Sequence, residues 1–155
     1  MNDLARILLV YLSLNASPLW ACSFDGVFTN PFTESYAGSF DVALATQKVV
    51  QDGSINKPVK LEGMRGLQQS TWWLKIFAKK QSNELVKGTY IYLIDSHLWA
   101  KALGDQKLKV HVPKPSKPDA VLVLSGAALA SLVSEDINYQ QALDMGIAKL
   151  IAQTD

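Results

Sequence analysis

The chain has 155 residues, one Cys and 48% apolar residues, with 15 Lys+Arg set against 14 Asp+Glu. That composition fits one globular domain, and a lone Cys excludes an intramolecular disulfide framework and any zinc site built on cysteines. A formal net charge of +1 lacks the positive excess that a phosphate backbone demands, so no nucleic-acid partner is expected.

Met1 to Arg6 lead into the apolar run Ile7-Leu8-Leu9-Val10-Tyr11-Leu12-Ser13-Leu14, which the helix breakers Asn15, Ser17 and Pro18 close. This layout predicts a secretory signal over 1–21. Its apolar run of 8 residues falls far short of the roughly 20 that a membrane-spanning helix needs. Leu19-Trp20-Ala21-Cys22 is similar to a bacterial lipoprotein processing box, which predicts an exported protein, periplasmic or anchored to a membrane by a lipid on Cys22. Trp20 stands where such boxes carry a small residue. Cleavage after Ala21 that leaves a free thiol therefore stays open as the alternative. Acylation would remove a thiol that is a liability in an oxidising compartment.

Residues 22–37 read as an extended leader, with Phe24, Phe28, Phe32 and Tyr36 scattered without period among Gly, Pro and Ser/Thr. A single domain is expected over 38–155. Its first helix spans 39–52, where Phe40, Ala43, Leu44 and Val50 recur at helical steps before Gly53. Asn56-Lys57-Pro58 predicts the start of a second helix that runs to Lys80, with Gly63 and Gly66 weakening its first half. Its apolar arc is wider than a surface helix needs, so Trp72, Trp73 and Phe77 either enter the core or project from it.

Past Ser82-Asn83 the period changes from helical to alternating. Thr89 to Ile94 predicts a strand. Leu98 to Leu103 predicts either a second strand or a short helix over 97–103. Gly104-Asp105-Gln106 predicts a turn into a third strand over 107–112, with Leu108, Val110 and Val112 on one face. Pro113, Pro115 and Pro118 then interrupt, and Ala120-Val-Leu-Val-Leu124, apolar throughout, predicts an interior strand. Ser125 caps a helix, Asn138 and Gln141 form a capping-box pattern for another, and Ile147 to Ala152 forms the last strand. The fold class expected is α+β: two helices, then a mostly antiparallel five-stranded sheet that includes a three-strand meander, with helices on one face.

The C-terminal third resembles the sterol carrier protein 2-like family, through the Asp119-Ala120 strand opening, the helix Ala127 to Val133, the short Asn138 to Leu143 helix and the Gly146-led closing strand. The stretch Leu93 to Val112, with Trp99 and the Gly104-Asp105 turn, is similar to that family's central hairpin. The resemblance implies a cleft between helices and sheet that takes up a lipid tail, sterol or isoprenoid quinone, lined here by Trp72, Trp73, Phe77, Leu129, Leu132 and Leu143. Such binding needs no fixed polar motif. An apolar ligand that buries about 300 Å² gains about 7 kcal/mol before association costs.

Asp95-Ser96-His97 is the one place where a carboxylate, a hydroxyl and an imidazole adjoin. Catalytic triads assemble from separate segments, so a surface turn is expected there and no catalytic residue is assigned. His97 and His111 supply too few ligands for a metal, and no phosphate-binding glycine motif or HExxH occurs, so neither cofactor nor metal is expected. Trp72-Trp73 and Phe77 beside Lys79-Lys80 suit a membrane interface or a ligand portal, or else fill the core beside a solvated lysine pair. Residues 57–117 hold 12 basic against 4 acidic side chains, which suggests an anionic membrane surface as a second partner. The functional expectation is a non-enzymatic, lipid-binding envelope protein. The alternative is an accessory or assembly module that docks a partner protein through Phe24, Phe28 and Phe32.

Overall fold

The computed structural model describes residues 35–59, 61–118 and 120–152. The signal segment, Cys22 and the leader aromatics Phe24, Phe28 and Phe32 lie outside the described residues. The order is α1 (Ser39–Gln51), α2 (Gly63–Lys80), β1 (Tyr90–Leu93), β2 (Leu98–Gly104), β3 (Lys107–Val110), β4 (Ala120–Leu124), α3 (Gly126–Ser134), α4 (Tyr139–Asp144) and β5 (Ala148–Ala152). It matches the expected succession, and the open choice at 98–103 resolves to a strand.

The five strands lie in the order β3-β2-β1-β4-β5. β1, β2 and β3 make the antiparallel meander, and Asp105 and Gln106, both at positive φ, form its two-residue turn. β4 pairs antiparallel with β5 but parallel with β1, Tyr90 facing Val121 and Leu93 facing Leu124. The sheet is therefore mixed. The reason is topological: β4 enters beside β1 after a proline-bearing crossing, and no hairpin can join strands in that arrangement.

Alternation along β4 splits the core in two. Leu122 and Leu124 join Ile91, Leu93, Leu98 and Ala100 on one face, beneath Leu74 and Phe77 of α2, Leu129 and Leu132 of α3 and Ala142 of α4. Val121 and Val123 join Tyr92 and Trp99 on the other. The sequence predicts helices gathered on one face, but α1 departs from this: it puts Val42 into the second cluster and Val49, two turns on, into the first. The second face is closed further by Val112 from the crossing segment and by Tyr36, whose ring meets Trp99 edge-on at 5.2 Å. Tyr36 thus belongs to the domain rather than to the leader.

The second helix begins later than its proline suggested. Val59 and Leu61 run as a strap against the helix instead of inside it, because the Gln69 amide donates to the Val59 carbonyl (3.2 Å) and accepts from the Leu61 N–H (3.4 Å). Gly63 turns the chain at φ +57°, and at Gly66 a Cβ would collide with the Leu61 carbonyl. Two carboxy-terminal helix starts follow the sequence pattern: Ser125 Oγ accepts from the Ala128 N–H, and Asn138 and Gln141 complete a reciprocal capping box.

Because Leu122 is fully buried, Leu122→Ala should lower unfolding free energy by about 2–5 kcal/mol, seen as a lower urea midpoint at unchanged slope. Exposed Leu103→Ala should stay within about 0.5 kcal/mol of the parent.

Candidate functional site

The structure divides the six residues assigned to the ligand cleft. Phe77, Leu129 and Leu132 are enclosed in the main core cluster. Trp73 and Leu143 are half-buried and pack against that cluster. Trp72 points outward and is 59% exposed, on the side of α2 away from Leu74 and Phe77. They do not converge on one opening. Helical spacing placed them on compatible turns, yet burial depends on which face meets the sheet, and that is a tertiary property.

A partly open, mostly apolar cleft lies at the opposite end of the strands from the β1–β2 turn. Its volume is ≈ 310 Å³, and its walls are the Glu84–Thr89 connection, Ala120 at the start of β4, Tyr139 at the start of α4 and Leu150 on β5. Leu85 forms buried floor, whereas Val86 and Leu150 stand at the mouth, 69% and 50% exposed. Volumes of this order lie at the lower end of small-ligand sites, about 300–1,000 Å³. Tyr139 adds a phenol to the polar side chains Glu84, Lys87 and Thr89 of the wall. Burial, reinforced by the nearby Glu84 carboxylate, pushes its phenol above the usual tyrosine pKa. Its ring leans on Phe77, centroids 6.5 Å apart, so Phe77 backs the cleft wall without lining it. Sequence reasoning missed Val86, Tyr139 and Leu150. The one available signal was apolar residues placed in polar surroundings: Val86 beside Lys87, and Leu150 beside Lys149.

A second hollow, ≈ 380 Å³, is walled by Lys80, Gln81, Leu132 and residues of the 135–138 connection. Lys80 spans its rim, donating to the Val133 carbonyl (2.8 Å) and pairing with Glu135 (2.5 Å). The ammonium beside it holds the Glu135 carboxyl below its ordinary pKa. Leu132 is the one predicted ligand residue that touches this opening, and its lining is otherwise mostly polar.

Asp95, Ser96 and His97 form the turn between β1 and β2, and each side chain faces a different neighbour. Asp95 Oδ2 accepts from the Gly126 N–H at the start of α3. His97 Nδ1 shares a 2.7 Å hydrogen bond with Tyr92 Oη. Ser96 Oγ is shut from solvent with no hydrogen-bond partner among the described residues, so no serine–histidine pair exists there. The carboxylate is a helix cap, and charge complements the helix end.

No protein-family model matches the chain, and no curated protein matches it. Geometry therefore carries the functional argument.

Asp95→Ala removes a charge-assisted cap and should cost about 1–2 kcal/mol in urea unfolding, while Ser96→Ala, which breaks no bond, should be nearly neutral.

Proposed function

We propose that the protein is a non-enzymatic, sterol carrier protein 2-like domain of the cell envelope that holds one apolar ligand in the cleft between Val86 and Leu150. The observation that carries this reading is the cleft itself. Two aliphatic side chains flank its mouth in water, a buried leucine floors it, and Tyr139 joins the wall beside the polar Glu84, Lys87 and Thr89. That combination suits a molecule with an apolar body and one hydroxyl or carbonyl, as lipids, sterols and isoprenoid quinones have. The volume admits part of such a molecule, a tail end or one ring system, with the remainder lying over Leu150. The succession of elements, a meander, a crossing to a fourth strand, helices and a closing strand, supports the family resemblance.

Binding of this kind derives its strength from area. Burial of about 200 Å² of apolar surface contributes about 5 kcal/mol, part of which association offsets. Hydrogen bonding to Tyr139 then orients the ligand more than it holds it.

Native mass spectrometry of protein purified from its own membranes should show one lipid-mass adduct per chain. Leu150→Arg places a charge at the mouth and should weaken uptake of a hydrophobic fluorescent probe at least about tenfold, the equivalent of losing some 55 Å² of apolar contact. An empty wild-type protein that ignores such probes would overturn the assignment.

A further inference from the structure

The outer face of α2 carries a second property, independent of the cleft. Its inward stripe is Leu67, Trp73, Leu74, Phe77 and Ala78, buried or packed on the main cluster. At three- and four-residue steps on the other side stand Met64, Gln68, Trp72, Lys75 and Lys79, with Arg65 beside them. Met64 is 68% exposed, so two large apolar side chains, Met64 and Trp72, sit in water among three cations. The helix itself carries no carboxylate, and Glu62 stands at its N-cap. No salt bridge within the described residues engages Arg65, Lys75 or Lys79, in contrast to Lys80, which is tied to Glu135.

The strap adds to the same end of the helix. Val59, 79% exposed, and Leu61, also exposed, are held against the first turns by Gln69 and by the close approach at Gly66. The helix from Leu74 onward is anchored in the core, whereas its first ten residues bury no side chain completely. A rigid rod about 22 Å long from Met64 to Lys79 therefore presents an apolar tip and a cationic flank.

We propose that this face docks the protein on an anionic phospholipid bilayer. Indole and thioether groups prefer the boundary between headgroups and acyl chains, and the flanking ammonium and guanidinium groups meet lipid phosphates there. Each such cation strengthens attachment to an anionic leaflet, so three on one face create strong charge selectivity. The face is the convex outer side of one helix ringed by like charges, which fits a soft, uniformly anionic surface better than a shaped protein pocket. Attachment is peripheral: no described helix is long and apolar enough to cross a membrane. A molecule held at the surface in this way would exchange an apolar ligand directly with the leaflet, but the docking does not depend on the cleft.

The test is flotation of the full chain with phosphatidylcholine vesicles, either pure or containing about one third phosphatidylglycerol, at low salt. A Cys22→Ser background throughout removes any acyl anchor. Partition should favour the anionic vesicles at least about tenfold. The triple change Arg65→Gln, Lys75→Gln, Lys79→Gln should abolish that preference. Trp72→Ala should weaken anionic binding about tenfold, and the blue shift of tryptophan emission on binding should vanish in Trp72→Phe. All these positions are solvent-facing, so thermal midpoints should match the parent, and Leu150→Arg should bind vesicles normally while losing ligand. Equal binding to both vesicle types, a preference that survives the triple change, or capture of a protein through Trp72 by chains that leave vesicles bare would each overturn the proposal.

Discussion

The parallel pairing of β1 with β4 is the constraint from which the rest of the domain follows. Two parallel neighbours end together, so Leu93 stands opposite Leu124 and the residues just beyond them meet. Asp95 lies two positions past the first and Gly126 two past the second, and the carboxylate of one caps the helix begun by the other. At the opposite end the strands start together, which brings Thr89 and Ala120 into the wall of one cleft. A purely antiparallel sheet would have sent these ends apart.

The same pairing determines how the second face is covered. To reach β1's flank from the sheet edge, the chain must cross from β3, and it does so with three prolines that keep the segment extended and out of the ladder. Val112 from that crossing, Tyr36 before α1 and Val42 within it close over Tyr92, Trp99, Val121 and Val123. β4, enclosed between two neighbours and two apolar layers, has no polar face to spare. Its unbroken apolar run is the direct consequence.

Helix α2 shows how one element serves two ends. Its last turns lock into the core through Leu74, Phe77 and Ala78, while its first turns stand proud with the strap. Firm seating at one end is what makes the exposed end a surface of defined shape. The loop that follows the helix supplies Leu85 and Val86 to the cleft, so the proposed ligand site and the proposed membrane face belong to one continuous stretch of chain.

Local chemistry in the sequence determined the elements that depend on neighbours: the Ser125 cap, the Asn138 and Gln141 capping box, the Asp105-Gln106 turn and the interior character of 120–124 each rest on contacts within four residues or on a two-residue period. The start of α2 misled because a proline favours a first turn without requiring it, and the competing hydrogen bonds came from Gln69, ten residues beyond Val59. Tertiary structure alone decided the parallel partner of β1, the side of α2 that turns to solvent and the meeting of Val86, Tyr139 and Leu150. β1 and β4 meet across 31 residues, and Val86 meets Tyr139 and Leu150 across 53 and 64; apolar side chains that pack without directional bonds leave no short-range signature of which partner they will find.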